Sequence, residues 1–271
     1  MATPAAARVR SAAELLDANR VYYDSLWAGA RLVEPQRFNT WPLVQSLLPR
    51  GAVRLEVAPG LRPRMPLEGT HFVDISEPAL AKLAQRGASV TQGQVTALPF
   101  ASESFDIVCA LDIIEHVEDE DGAVSEIVRV ARPGAVLLLS VPLHPARWTA
   151  FDDFVGHRRR YEPDRLWTKL AEHRLAVEHS AVFGMQPKSS RLLDLGMWWL
   201  THRRERALYW YNRVFMPLGL RFQKKLAVHA GIIGTDEIDE IDEILLVCRK
   251  LSGAVDGEEA GLWRAAPPKP P

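Results

Sequence analysis

"VTALPFASESFDIVCALDIIEHVEDEDGAVSEIVRVARPGAVLLLSVP", residues 95–142, decides the fold. Two apolar runs, 105–111 and 135–141, flank a segment that opens with acids and places Val124, Ile127 and Val128 on one helical face. It closes on Arg132, Pro133 and Gly134. Acids at the start, a base at the end and a terminal Pro-Gly are the marks of a helix between two strands. Strands that are apolar throughout, not alternating, are covered on both faces, as parallel strands joined by helices are.

The same alternation extends outward from this unit. Upstream lie strand patterns at 53–58, 70–75 and 88–92, and "EPALAKLAQRG" reads as a helix with Ser76 as its cap and Gly87 at its exit. Downstream, "LAVEHSAVFG" (175–184) and "EILLVCRK" (243–250) read as the last two strands. The expected fold is therefore α/β: a Rossmann-like, doubly wound, mainly parallel seven-stranded sheet. It occupies one domain, residues 1–250, with N-terminal helices over 11–48, a core over 52–184, a helical insertion over 185–235 and the last strand at 243–250. Ser11 and Glu14 stand at capping-box spacing, and a second helix follows Asn39 or Thr40 with Pro42 in its first turn. Residues 251–271 are too rich in Pro and Gly to pack and are expected to be a disordered tail.

One connection breaks the pattern. In "LEVAPGLRPRMPLEGTHFVDIS" (55–76) only Pro59 to Gly69 separate the first two strands, and Pro59, Pro63 and Pro66 lie among them. A crossover with its helix takes a dozen or more residues, and proline removes helical hydrogen bonds. The first crossover helix is expected to be missing, replaced by a stiff extended segment.

Composition narrows the class. A net charge of −1 argues against a general nucleic-acid binder. No apolar run is long enough to cross a bilayer and the N-terminus lacks a secretory signal, so a cytoplasmic protein is expected. Cys109 and Cys248 sit inside apolar strand patterns, which suits small buried hydrophobes; neither a disulfide framework nor a metal site is read from the sequence. Charge is uneven: residues 188–225 hold nine Lys or Arg against two acids, dense with Trp, Tyr and Phe over 192–226. Such a segment can form a lid over a site or rest in a membrane interface, giving peripheral contact with the inner membrane surface. The acid run "GTDEIDEIDEI" that follows is expected to be a solvated turn facing it.

In an open parallel sheet the ligand lies beyond the carboxyl ends of the strands. That rule selects Ala58 and Gly60 after the first strand, Asp74 at the end of the second, Gln94 and Val95 after the third, and Asp112 after the fourth. The order "LPF…SFDIV…EHVED…RPG" resembles the class I S-adenosylmethionine-dependent methyltransferases over about residues 45–182 and the last strand. The resemblance implies that Glu56 and Gly60 hold the methionine end, with Ala58 beside them, that Asp74 and Ile75 meet the ribose, and that Gln94 and Val95 flank the adenine. Asp112 would wall the sulfonium. The first loop departs from the family's three-glycine turn: here it reads Glu56-Val57-Ala58-Pro59-Gly60-Leu61-Arg62. Either Arg62 or Arg64 replaces the lost amides by pairing with the cofactor's carboxylate, or cofactor binding is lost and the fold serves as a scaffold that binds a partner through its aromatic insertion.

"FDDFVGHRRRY" (151–161) resembles the G-H-x-R-R-Y segment of bacterial methyltransferases for envelope glycan or lipid-linked substrates. His157 is a candidate general base oriented by Asp152 or Asp153, and His116 a second candidate facing the transferred methyl. His144 is a third. Arg158, Arg159 and Arg160 either anchor an acidic substrate or form salt bridges. The expected activity is methyl transfer to a hydroxyl of a small or lipid-linked acceptor.

Overall fold

The computed structural model describes residues 20–184 and 195–252, with 22, 197 and 200 set aside. The capping-box pair Ser11 and Glu14, the start of the insertion and residues 253–271 of the tail lie outside those residues; Leu251, at the expected start of the tail, still donates its N–H to the Arg174 carbonyl.

The elements follow in the order α1 (20–28), α2 (Trp41–Leu47), β1 (Arg54–Val57), β2 (Thr70–Asp74), α3 (Glu77–Ala84), β3 (Ser89–Gln92) and β4 (Phe105–Leu111). Next come α4 (Glu120–Val130), β5 (Ala131–Pro142), α5 (Ala150–Val155), α6 (Pro163–Glu172) and β6 (Leu175–Val182). The insertion holds α7 (helical residues between 195 and 202), α8 (Arg204–Trp210), a π-helical turn (Tyr211–Phe215), α9 (Met216–Arg221), β7 (Val228–Ala230) and α10 (Thr235–Ile238), and β8 (Glu243–Lys250) ends the fold.

One sheet carries all eight strands in the order β3-β2-β1-β4-β5-β8-β6-β7. The first five are parallel; β8 runs antiparallel to both β5 and β6. Seven are the strands the sequence predicts. The eighth, β7, is three residues from the insertion that pair antiparallel with His179–Ala181 at the sheet edge. Strand order reverses between β1 and β4, which fixes where a crevice opens.

Alternation within the strands divides two cores. Val108, Ala110, Leu137 and Leu139 pack with Ile127 of α4 and Leu166 of α6 on one face. Ile107, Cys109, Val136 and Leu138 face the other side, where they meet Val44 of α2 and Met65 of the β1–β2 connector. Both cysteines are free and buried. The connector contains no helix, as its prolines require. Met65 and α2 cover the sheet face that a crossover helix would have covered, and Leu61 plugs a second pocket against Trp27 and Ala79.

Ser76 stands at the N-cap of α3, but its side chain makes no cap bond; its hydroxyl donates to Asp24 at 2.7 Å. In α4 the cap is Asp119, which accepts from Gly122 N–H, and Val124 and Ile127 are buried while Val128 is half-buried.

Candidate active site at the carboxyl ends of the parallel strands

The connector is held by two buried carboxylates. Glu56, on β1, accepts from the backbone N–H of Arg64 (2.8 Å) and of Met65 (2.9 Å). Asp74, ending β2, accepts from Gly60 N–H (2.9 Å) and Ser76 N–H (2.8 Å). An extended segment makes no hydrogen bonds of its own, so its buried amides need such acceptors. Burial dominates both acids: it raises Glu56 from 4.5 to about 7 and Asp74 from 3.8 to about 6, against the opposing pull of the amides. Gly60 takes φ +53°, and a Cβ there would stand 2.2 Å from the Trp27 ring, so only glycine fits.

Beyond the strand ends opens a cavity of about 440 Å³. Glu56, Ala58, Asp74 and Ile75 line one side, Asp112 and His116 another, and His157 a third. Ala58 and Asp112 both adopt left-handed backbone, φ +53° and +51°, where β1 and β4 end. Ser140 locks Asp112 in place: the Asp112 N–H donates to Ser140 Oγ (2.9 Å), and that hydroxyl donates to Asp112 Oδ1 (2.5 Å).

Three expected cofactor residues do not face this cavity. Gly60, in the connector, is not among the lining residues, and its amide is committed to Asp74. Val95 is buried in the core, and Gln94 closes a turn with Ala97. Both arginines of the connector line the cavity. Arg62 lies between the rings of Trp27 (5.3 Å) and Tyr211 (5.1 Å), and Arg64 stacks on Phe38 at 3.6 Å. Arg62 Nη2 and Arg64 Nε are buried without a hydrogen-bond partner. Burial holds Arg64 below its usual range although Glu56 and Asp112 pull upward.

The other pole is built from the segments after β4 and β5. His157 Nδ1 is 2.8 Å from Asp152 Oδ1, so Asp152 orients the ring. Asp153 is engaged elsewhere, accepting from Trp148 Nε1–H. Arg160 grips both oxygens of Asp152, at 2.9 and 3.0 Å, and Thr149 donates to it as well. Burial would raise Asp152, but these donors outweigh it and hold the acid down at about 2. The rings of His157 and His116 meet edge to face at 4.7 Å, and His157 Nε2 is 3.9 Å from Glu115 Oε1. Burial, with His157 adjacent, pushes His116 down to about 3. Burial lowers His157 too, opposed by Asp152, and raises Glu115 well above the carboxylate range, with Asp112 adding to it.

The three arginines are used by the protein itself. Arg158 and Arg159 pair with Glu118 and Glu120, and Arg160 with Asp152. His144 is a structural group whose Nε2 meets the carbonyl of Ile238 at 2.9 Å. The acid run is not simply solvated: Glu243 lines the cavity, bonded to Asp112 and raised well above its ordinary range by burial, and Arg147 clasps Asp242. Sequence reading passed over Glu115, although it adjoins His116 in "IIEHVED", and over Tyr23, Trp27 and Phe151, which line the cavity from neighbouring elements. The insertion contributes Tyr211 and Gln223 to the wall and packs Met216 and Leu220 on Phe38.

Comparison with known proteins bears on the family and the fold. A methyltransferase domain matches residues 60–139. A probable S-adenosylmethionine-dependent methyltransferase of Mycolicibacterium smegmatis is 34% identical over 106 residues, covering 37% of this chain and 40% of that protein. The tRNA (carboxymethyluridine(34)-5-O)-methyltransferase of Arabidopsis thaliana is 30% identical over 114 residues, 39% of this chain and 28% of its own length. The chain thus spans less than half the length of either relative. Among solved structures, an S-adenosylmethionine-dependent methyltransferase of Thermotoga maritima superposes with a TM-score of 0.54 at 16% identity, over 79% of this chain and 89% of that one, which speaks for the fold.

Proposed function

We propose, for a chain that belongs to the class I S-adenosylmethionine-dependent methyltransferases, methyl transfer to a hydroxyl of a small or lipid-linked acceptor. The observation that carries this reading is the open cavity itself. The proline-braced connector forms a wall of the crevice and does not fill it, leaving about 440 Å³ between the strand ends and the histidine pole. That volume lies in the range of small-molecule sites.

The residues fit the cofactor. Arg62 Nη2 and Arg64 Nε are buried donors without partners on the cavity wall, a complement for a carboxylate where the family's glycine amides are gone. Asp74 and Ile75, where β2 ends, would meet the ribose, and Asp112, hydrogen-bonded to Glu243, would face the cationic sulfur. When bound, S-adenosylmethionine supplies an electrophilic methyl group. The chain's own residues hold the acceptor: His157, aligned by Asp152, turns Nε2 toward Glu115 and the cavity to take the hydroxyl proton, with His116 against its ring. Proximity supplies much of the remaining acceleration.

A lipid-linked acceptor is favoured by the insertion's outer surface. Trp198, Tyr209, Trp210, Phe215 and Phe222 are exposed there beside Arg206, Arg213 and Arg221. Aromatic rings with interspersed bases suit the headgroup region of an anionic bilayer. No helix among the described residues is long and apolar enough to cross a membrane.

Calorimetry with S-adenosylmethionine and S-adenosylhomocysteine tests the reading. Saturable binding is expected, weakened at least about tenfold in Arg62→Ala by loss of a charge-assisted contact. Absence of binding at millimolar ligand would leave the scaffold alternative.

A further inference from the structure

We propose that Glu115, His116 and His157 form a binding site for a divalent first-row transition-metal ion whose open coordination positions face the cavity and receive the acceptor's oxygen. The three side chains each offer a ligand atom within 4.8 Å of the others. Ligands around an ion with bonds near 2.1 Å stand roughly 3–4 Å apart, so small side-chain rotations close the set.

Glu115 supplies the strongest argument. Its side chain is fully buried, and neither carboxylate oxygen has a hydrogen-bond partner. Buried polar groups are nearly always satisfied, and a carboxyl group with both oxygens orphaned is an exception that calls for a partner. His157 Nε2, at 3.9 Å, is too far to bond it, and His116, only 7% exposed, has an unpartnered Nδ1 as well. His116 Nε2 meets the Tyr23 hydroxyl at 3.4 Å, and all three residues of the cluster line the cavity.

The surrounding shell is that of a ligating imidazole. Asp152 engages His157 Nδ1, fixing the ring so that Nε2 is the nitrogen presented to Glu115, and Asp152 is itself fixed by Arg160 and Thr149. A carboxylate behind a metal-binding histidine sets its tautomer and raises its basicity. Two imidazoles with one carboxylate suit Zn²⁺, Fe²⁺, Co²⁺ or Mn²⁺, whereas Mg²⁺ and Ca²⁺ favour oxygen donors throughout.

All three residues line the cavity, so remaining positions on the ion are open to a ligand within it. A hydroxyl bound there becomes more acidic and loses its proton to water, with no change in the ion's oxidation state. In the ion-loaded protein His157 is thus a ligand, and it takes the proton only when the ion is absent. The role in acceptor binding rests on the methyl-transfer reading; ion binding itself does not.

The test is titration of the full chain, stripped with a chelator, with Co²⁺ and with Zn²⁺, read by calorimetry and by the visible absorption of cobalt. One ion per chain is expected. Glu115→Gln and His157→Ala should each weaken binding by about a hundredfold or more, and Asp152→Asn by about tenfold or more. Glu118→Gln, on an exposed neighbour, should leave it unchanged. No cobalt spectrum at millimolar ion in the unaltered protein overturns the proposal, as does binding that survives both Glu115→Gln and His157→Ala. S-adenosylmethionine binding is measured on the same samples. An ion bound without the nucleoside counts against the methyl-transfer reading alone, and the converse against the metal site alone.

Discussion

The two crossovers that flank β1 and β4 solve one problem in opposite ways. Between β4 and β5 the chain forms α4, whose backbone groups bond within the helix and whose apolar face, Val124 and Ile127, packs on the sheet. Between β1 and β2 there is no helix, and the buried amides of residues 60, 64 and 65 are satisfied by Asp74 and Glu56 instead. A helix is self-sufficient; an extended connector must draw its acceptors from side chains at the strand ends. In this chain those side chains are also cavity-lining acids, so the wall of the site and the stability of the fold rest on the same two carboxylates. Two arginines are thereby placed where a helix N-terminus would otherwise face a ligand.

The sharpest way to break this contrast is Glu56→Ala. It orphans the amides of Arg64 and Met65 and removes a buried side chain, so unfolding in urea should show a loss of about 4 kcal/mol. A loss below about 1 kcal/mol would mean the connector holds itself. The next effect is in pH. Folded Glu56 keeps its proton up to about 7, while its ordinary value is 4.5, so the folded state binds the proton more tightly. The associated stability is fully present below 4.5 and is lost as pH rises toward 7, a fall of about 3 kcal/mol. Asp74 adds a fall of the same sign between 3.8 and about 6. Glu56→Gln, near-isosteric with the protonated acid, should track the unaltered protein at pH 4.5 and become the more stable of the two by about 3 kcal/mol near neutrality. Parallel stability curves for the two proteins would show that Glu56 does not titrate in this window.

Much of this contrast is legible in the chain. Three prolines in an eleven-residue interval exclude a helix on backbone grounds alone, and uninterrupted runs such as "VLLLSV" announce buried parallel strands. The sequence also places Asp74 and Asp112 at strand ends and His157 in the segment after β5, and all three line the cavity. What it does not show is which groups an irregular segment meets. Gly60 reads as a ligand contact, yet its amide turns to Asp74, because a connector without a helix needs an acceptor at that point. Glu243 reads as one acid in a solvated run, yet the antiparallel entry of β8 beside β5 brings it to the cavity next to Asp112. β7 is too short to carry a period and exists only because β6 offers it an edge. Glu115 is hidden for another reason: a carboxylate beside a histidine looks like a surface pair until the turn after β4 buries both.

The smallest expected effect comes from the conventional crossover and serves as the other half of the comparison. Asp119 caps α4 by accepting from Gly122 N–H at 2.8 Å. Asp119→Ala removes that acceptor, but the first-turn amides of a helix that begins at the surface remain open to water, which replaces most of what is lost. Unfolding in urea should register about 1 kcal/mol, with the S-adenosylmethionine affinity unchanged because α4 presents no group to the cavity. Each side-chain acceptor here meets backbone amides within a crossover, so the difference between about 1 and about 4 kcal/mol measures what burial and the second amide add to a single exposed cap. Equal losses in Asp119→Ala and Glu56→Ala would erase the distinction, and the helix-free crossover would then have to be explained by proline stiffness alone.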